Sequence, residues 1–254
     1  MKLLRDIWLV FQRHMLLMWR SPMLVILGIA QPVVYLILFA PLLQEALVTL
    51  GAKSTTDAYR FYVPGMLVAL AMATGLYAGF SLLNEMASGV IERSRVTAIS
   101  RSSMMIGRAM RDVVVVIIQS ILLTIMSIPL GLAVYIGNVL IAYLLLALVN
   151  FCTAALSYSI ALKVSGPAVL GQVINNVAQP LMLLSGTLLP IALAPLWLRS
   201  IAAFNPFTWV VDGMRSIFRD NLGDPNIIKA LVSIGLLTVL ATVWSTRLFT
   251  KTVR

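Results

Sequence analysis

Residues 139–162, VLIAYLLLALVNFCTAALSYSIAL, carry no charged side chain and are apolar over most of their length. A bilayer core about 30 Å thick is crossed by about 20 residues of α-helix, so this stretch is long enough to span it. A strand of a membrane β-barrel would instead alternate apolar and polar residues over about ten positions. The stretch therefore predicts a transmembrane α-helix.

Five further stretches have similar length and apolarity. They are residues 23–43, 61–83, 113–135, 168–189 and 227–245. The 254 residues are 60% apolar and 11% charged, whereas a soluble domain is about 45–50% apolar and about 25% charged. A water-soluble fold of this size could not cover so much apolar surface. We therefore predict a single domain, residues 1–254, that is an all-α membrane protein with six transmembrane helices.

The charged residues lie mainly between these spans. The net charge is +10, with 19 Lys and Arg residues against 9 Asp and Glu residues. In a soluble protein this balance would favour nucleic acid, but here membrane topology and anionic lipid headgroups account for it better, and we predict no nucleic-acid partner. Most of the basic residues fall on the side that holds both termini. The sequence therefore predicts a multi-pass protein of the cell membrane with both termini in the cytoplasm.

Two segments outside the spans are predicted to lie in the membrane interface. In residues 1–22 the polar side chains fall largely on one side of a helix, and Trp8, Phe11, Leu16 and Trp19 can enter the interface. On the outer face, residues 190–226 begin with an apolar part that is too short to span and is interrupted by prolines, as in a re-entrant helix. A second interfacial helix follows, with polar residues predicted opposite apolar ones. The polar set is Asp212, Arg215 and Arg219, and the apolar set is Trp209, Val210, Met214 and Phe218.

The sequence contains no recognisable catalytic constellation. His14 is the only histidine, which excludes a zinc site of the His–Glu–x–x–His type and a Ser–His–Asp triad. Cys152 is the only cysteine, so no disulfide can form within the chain. We predict a non-enzymatic chain that binds no cofactor or metal.

Four amides form a polar stripe on the fifth predicted span. Gln172, Asn175, Asn176 and Gln179 lie three and four residues apart and so share one helix face. Gln31 in the first span is a weaker candidate of the same kind. An amide in hydrocarbon is costly without a hydrogen-bond partner. The stripe indicates either a substrate path or subunit interface, or hydrogen bonds between helices within the chain, and both interpretations stay open.

Small residues recur every four positions in the second predicted span, at Ala71, Gly75 and Gly79. Such a face lets another helix approach closely. We expect it to pack within the subunit rather than to form a dimer contact.

The connection at residues 84–112 is the longest one predicted on the cytoplasmic side. It mixes apolar and charged residues and includes Glu85, Gly89, Arg108 and Asp112. A positively charged loop that only sets topology would account for part of it. The mixed stretch after Gly89 instead favours a compact helix presented to a protein partner.

At this connection and at the outer segment the chain resembles the type-2 ABC exporter permeases, especially the daunorubicin-resistance subgroup. One resembling segment is Gly-Val-Ile-Glu-Arg-x-Arg from Gly89, followed by Ser100-Arg101 and Gly107-Arg108. The other comprises Leu184-Ser185-Gly186, Pro190, Pro195-Leu196-Trp197-Leu198, Asn205-Pro206-Phe207-Thr208 and Asp212-Gly213-Met214-Arg215. The order of spans also agrees, so the resemblance covers essentially the whole chain.

The resemblance implies a half-transporter that forms a homodimer and pairs with two copies of a separate ATPase subunit. ATP and Mg would be bound by that partner alone. It also implies that residues 84–112 hold a coupling helix that docks on the ATPase. The residues expected to make this contact are Gly89, Val90, Ile91, Glu92, Arg93, Arg95, Ile99 and Arg101.

The resulting prediction is the permease of an ATP-driven exporter for a hydrophobic or amphipathic compound, such as a drug, an antibiotic or a lipid-linked molecule. The alternatives are a secondary transporter and a non-catalytic membrane assembly factor. No acidic residue lies near the middle of a predicted span to carry protons, which counts against the secondary transporter.

Overall fold

The computed structural model describes residues 2–20, 23, 26, 28–38, 55–89, 101–129, 132, 134–187 and 190–252. All regular secondary structure in these residues is helical, which confirms the predicted all-α class for this part of the chain. The helices are α1 (Lys2–Trp19), α2 (Gly28–Leu38), α3 (Thr55–Ala87), α4 (Arg101–Ser127), α5 (Ile136–Ala161), α6 (Pro167–Leu184), α7 (Leu196–Ala202), α8 (Pro206–Phe218) and α9 (Pro225–Thr252), with a 3-10 turn at Ile191–Leu193.

Among the described residues, four helices are long and apolar enough to cross a membrane. These candidate spans are Tyr59–Ala87, Ser102–Ser127, Gly137–Ala161 and Pro225–Phe249, which correspond to the second, third, fourth and sixth predicted spans. The helix α2 is apolar but short within the described residues, and α6 ends at Leu184 rather than at the predicted residue 189. The predicted count of six therefore stays a prediction.

The helix α4 begins earlier than the sequence predicted. It starts at Arg101, so residues 101–112 of the predicted connection are helical and continue directly into the third span. The prediction placed Arg108 and Asp112 in a solvated loop because they are charged. Both side chains are instead buried against other helices, where partners compensate their charges.

The helix α3 lies at the centre of the bundle. Within the most apolar 18-residue segment of α3, 72% is buried by the rest of the chain, against 28% of the corresponding segment of α9. The packing partners of α3 include α4, α5, α6 and α8. The surface of α9 that this chain leaves uncovered is apolar, with Val232, Leu236 and Leu240 exposed, as expected for a helix that faces lipid.

The small residues of α3 pack against α5, as the sequence predicted. A Cβ added at Gly75 would lie 2.6 Å from the Asn150 carbonyl oxygen, and one at Gly79 would lie 2.9 Å from the Ser157 carbonyl oxygen. The close approach allows direct hydrogen bonds, since the Asn150 amide donates to the Ala71 carbonyl at 3.2 Å. This contact lies within the subunit.

The helix α1 packs along the first turns of α4. A Cβ at Gly107 would lie 2.9 Å from the Ile7 carbonyl oxygen, so the two backbones are in contact there. Its opposite side exposes Trp8, Leu16 and Trp19, the residues predicted to enter the interface. Asp6 is one of the polar side chains of the predicted interfacial helix, but it is buried, because the polar arc of α1 partly overlaps the face that meets α4.

The helix α8 is largely buried by other helices of the chain, and its predicted position in the membrane interface stays a prediction. Its start is capped by Asn205, whose side-chain oxygen accepts from the Phe207 amide at 3.1 Å. Val210 and Met214 are fully buried against neighbouring helices, and Trp209 is exposed. Arg215 was predicted on a polar outer face, but it is buried.

Arg215 joins three elements at this end of the bundle. Its guanidinium donates to the carbonyls of Phe61 at 3.3 Å and Gly186 at 2.6 Å, and it stacks 3.7 Å from the centre of the Phe61 ring. Asp212 lies 3.6 Å away. Burial lowers the pKa of Arg215 to about 10, so the side chain stays charged at neutral pH and its burial is compensated by these contacts.

Candidate functional site

An elongated cavity of about 630 Å³ lies between α2, α3, α4 and α6, with the end of α1 at its rim. Small-molecule sites in proteins usually have volumes of about 300–1,000 Å³. Along α3 the lining runs from Met66 to Ser81, which at about 1.5 Å per residue is about 22 Å. The cavity therefore extends over much of the thickness of a bilayer core.

Three of the five amides predicted to face a path or interface line this cavity. They are Gln31 from α2 and Asn175 and Gln179 from α6. Gln172 and Asn176 are exposed on α6 but are not part of the lining. The structure therefore divides the predicted stripe into residues at the cavity and residues beyond it.

Hydrogen bonds tie the polar lining residues to neighbouring helices. Tyr77 donates to the Asn175 side-chain oxygen at 3.1 Å, which links α3 with α6. Thr74 donates to the Gln119 side-chain oxygen at 3.2 Å, which links α3 with α4. Between these polar positions the walls are apolar, so an occupant would meet isolated hydrogen-bonding groups on a mainly apolar surface.

A buried ionic cluster closes one end of the cavity. Arg111 and Asp112 line the cavity and form an ion pair, and Tyr158 donates to the other oxygen of Asp112. Directly beside this pair, Arg108 of α4 forms an ion pair with Glu85 of α3. The cluster thus joins α3, α4 and α5 at the end of the cavity where α1 also packs.

His14 connects α1 to this cluster. Its Nδ1 lies 3.6 Å from Glu85 Oε1, and the imidazole is buried. Burial, together with the guanidinium groups of Arg108 and Arg111, lowers the pKa of His14 to about 3. The side chain is therefore neutral at physiological pH and contributes no charge to the cluster.

The residues predicted to contact an ATPase lie mostly outside the described residues. Val90, Ile91, Glu92, Arg93, Arg95 and Ile99 are in this group. Gly89 is described: it ends the turn after α3 with φ of 68°, a left-handed conformation that glycine adopts without strain. Arg101 is the first residue of α4. The predicted ATPase contact, in the connection between α3 and α4, therefore stays a prediction.

Sequence reasoning missed the ionic cluster as a unit. It treated Glu85, Arg108 and Asp112 as features of a solvated connection and His14 only as the absence of a metal site. One signal could have indicated otherwise, because Arg108, Asp112, Val115 and Gln119 recur at helical spacing into the following span. Which carboxylate each arginine meets depends on helix packing. In the described part of the chain, no group of three or more His, Cys, Asp and Glu side chains is arranged to hold a metal ion.

Comparison with known proteins gives consistent matches. Residues 5–218 match the family described as ABC-2 type transporter. The chain is 29% identical over 236 residues to the transport permease ycf38 of Porphyra purpurea, covering 92% of this chain and 80% of that protein. It is 26% identical over 217 residues to ycf38 of Cyanophora paradoxa, covering 85% and 74%. It is 24% identical over 232 residues to the daunorubicin resistance ABC transporter permease protein DrrB1 of Streptomyces coeruleorubidus, covering 90% and 81%.

Proposed function

Because this chain belongs to the ABC-2 type transporter family, whose permeases are membrane transport subunits that work with an ABC ATPase, we propose that it is the permease of an exporter. ATP and Mg are bound by the separate ATPase, and the cargo is a hydrophobic or amphipathic compound. The export direction and the cargo class draw support from one relative named for daunorubicin resistance.

The cavity is the observation that carries this proposal. A transport subunit needs a chamber within the bilayer that a cargo can occupy, and the space between α2, α3, α4 and α6 has suitable size and length. Its walls combine apolar side chains with Gln31, Asn175 and Gln179. Such a lining suits a molecule with separated polar groups on an apolar body.

The connection between α3 and α4 is the proposed route by which ATP hydrolysis acts on the cavity. The two helices that it joins carry Glu85 and Arg108 of the ionic cluster, and Arg111 of the same cluster lines the cavity. A partner that moves this connection would therefore move residues at the cavity end. This arrangement supports placing the ATPase contact at residues 89–101.

Charge and apolar substitutions in the connection test the ATPase contact. Glu92→Lys and Ile91→Asp should each weaken co-purification of the ATPase and abolish ATP-dependent efflux, because removing a buried interfacial partner costs about 2–5 kcal/mol. Arg219→Glu, at an exposed position directly after α8, is the charge-reversal control, since the proposed topology places it on the side of the membrane away from the ATPase. Normal efflux and normal co-purification in both connection variants would contradict the coupling role.

Labelling of introduced cysteines tests the proposed orientation. Cys152 is buried, so its background reaction with an impermeant thiol reagent should be low. A cysteine at the exposed position Arg219 should react in intact cells, and one at Arg95 should react only after lysis. The opposite pattern would place the termini outside the cytoplasm and would overturn the assignment of the coupling segment.

The exposed amides support a homodimer. Gln172 and Asn176 are exposed on α6 away from the cavity lining, and an amide facing lipid is costly, so a second copy of the chain is the proposed partner of this face. Gln172→Leu and Gln179→Leu make a matched pair on one helix. The first should reduce dimer recovery, and the second should change cargo range or efflux rate with the dimer intact. Normal dimerisation and efflux in both variants would contradict both roles.

A further inference from the structure

We propose that the cargo of this cavity is an acidic amphiphile, whose carboxylate or phosphate head binds at Arg111 and whose apolar chain lies along α3. This inference rests on the proposed transport function and specifies its substrate class. Arg111 lines the cavity, and its side chain keeps 20% of its surface exposed although its neighbour Asp112 is buried. It is therefore the charged group of the cluster that an occupant meets first.

The hydrogen-bonding capacity of the cluster favours an anion over a cation. Both oxygens of Asp112 are occupied, by Arg111 and Tyr158, and both oxygens of Glu85 face Arg108 or His14. Donors are in excess inside the cluster, since Nε and Nη1 of Arg108 and Nε of Arg111 are buried without an acceptor among the described residues. The donor group open to the cavity is the exposed part of the Arg111 guanidinium. An anionic head can accept a charge-assisted hydrogen bond there, whereas an ammonium would meet Asp112, whose two oxygens are already engaged.

The charge balance points the same way. Arg108 and Arg111 are balanced by Glu85 and Asp112, and His14 is neutral. Arg13 of α1 also acts electrostatically on this group. Arg13 is exposed, so solvent screens its charge. The cluster therefore offers an occupant a positive group at Arg111 and no uncompensated carboxylate at the cavity surface.

The rest of the cavity fits an extended apolar chain. From the Arg111 end the lining continues over Val115, Leu76, Leu70, Met66 and Met182. The length of about 22 Å along α3 exceeds the depth of one bilayer leaflet, which is about 15 Å for a core of about 30 Å. An acyl chain of membrane-lipid length can therefore be accommodated with its head at the ionic end.

Photo-crosslinking tests the proposal without requiring ATP hydrolysis. The purified permease, with its ATPase where the two co-purify, is placed in phosphatidylcholine vesicles. The probes are hexadecanoic acid, hexadecanol and hexadecyltrimethylammonium, each carrying a diazirine in the middle of the chain. We expect the acid to label the cavity lining about tenfold more than the other two, because a charge-assisted hydrogen bond changes affinity by about that factor. Equal labelling by the ammonium or the alcohol would overturn the proposal.

Variants at the head site provide the second readout. Arg111→Gln should lose the preference for the acid, and Arg111→Lys should keep most of it. Arg5→Gln, at an exposed arginine of α1, should behave like the parent. If Arg111→Gln fails to insert, Val115→Trp tests the same site, because it fills the cavity beside Arg111 and should block labelling by the acid. Undiminished labelling in the correctly inserted variant would overturn the proposal.

Competition separates an amphiphile from a simple anion, and the transport assay separates this proposal from the proposed function. Unlabelled hexadecanoate should displace the acid probe, and acetate at the same concentration should not. Displacement by acetate would show that an anion alone is bound and would overturn the amphiphile. Selective labelling without ATP-driven efflux would contradict the exporter while leaving the binding site. Efflux of other cargo with no selective labelling would contradict the site while leaving the exporter.

Discussion

The ion pair between Glu85 and Arg108 offers the sharpest test of how the helices are held together. Arg108 is 2% exposed, and its partner lies on a different helix, 23 residues earlier in the chain. We consider Glu85→Gln, Arg108→Met and the double variant. Glu85→Gln leaves Arg108 charged and buried, and Arg108→Met leaves the half-buried Glu85 without its ion-pair partner, whereas the double change removes both charges together.

The expected free-energy changes follow from the burial of the pair. Breaking a buried ion pair from one side costs about 3–5 kcal/mol, whereas replacing both members is often close to neutral. Additivity would therefore predict a loss of about 6 kcal/mol or more in the double variant. For the double variant we expect the unfolding free energy to fall by no more than about 4 kcal/mol. The coupling energy between the two positions is then about 2 kcal/mol or more, which is a factor of about 30 in the unfolding equilibrium.

The measurement is reversible unfolding of the purified permease in mixed micelles, titrated with a denaturing detergent and followed by loss of tertiary packing. A second cycle that pairs Glu85→Gln with Arg5→Gln is the matched control, because Arg5 is exposed on α1 and should be uncoupled from Glu85. If the Glu85–Arg108 cycle is as additive as the control cycle, the buried pair does not hold α3 and α4 together and the assignment of the cluster is wrong.

Three further predictions concern single positions. The pKa of His14 lies near 3 in the folded protein and near 6.5 when the helix is released, so stability should be fully present above about pH 6.5 and should fall by up to about 1.4 kcal/mol per unit below it. His14→Gln should flatten the dependence of the unfolding free energy on pH between about pH 6.5 and 5. An unchanged dependence would contradict the burial of a neutral imidazole. Gly107→Ala should release α1 and increase its hydrogen exchange, because a Cβ there meets the backbone of α1. Gly235→Ala is the control in open space and should stabilise α9 by up to about 1 kcal/mol, so similar effects at both glycines would contradict the close contact. Arg215→Lys should lower the unfolding free energy by about 1–3 kcal/mol, because a single ammonium cannot replace the fork that reaches two carbonyls and an aromatic ring. Parent-like stability would show that charge alone suffices.

The relation between the cluster and the cavity distinguishes stabilising residues from residues that bind cargo. Glu85, Arg108 and His14 lie behind the cavity wall, whereas Arg111 and Gln179 line it. We therefore expect the first group to affect folding and insertion. Substitutions in the second group should change cargo selection with a smaller effect on the amount of folded protein.

The amino-acid sequence alone determined the all-α class and the approximate positions of most of the long helices that the structure describes, although α4 begins earlier than predicted. Residues 139–162 and 61–83 are apolar over more than the thickness of a bilayer core, and in hydrocarbon a single chain can satisfy its backbone hydrogen bonds locally only as an α-helix. The spacing of Gly75 and Gly79 likewise predicted a close helix contact. These inferences succeed because each depends on residues that are near one another in the chain.

Only the tertiary structure decided which polar groups meet. Tyr158 and Asp112 are separated by 46 residues, and Arg215 reaches Phe61 across 154 residues. The sequence predicted Arg108 and Asp112 to be solvated charges in the connection before the third span. It predicted Arg215 to lie on an exposed polar face. A charge enters the interior only where packing brings a compensating group to it, because the free energy of burial depends on the partner more than on the residue itself. That partner is selected by the packing of whole helices, which no local pattern records.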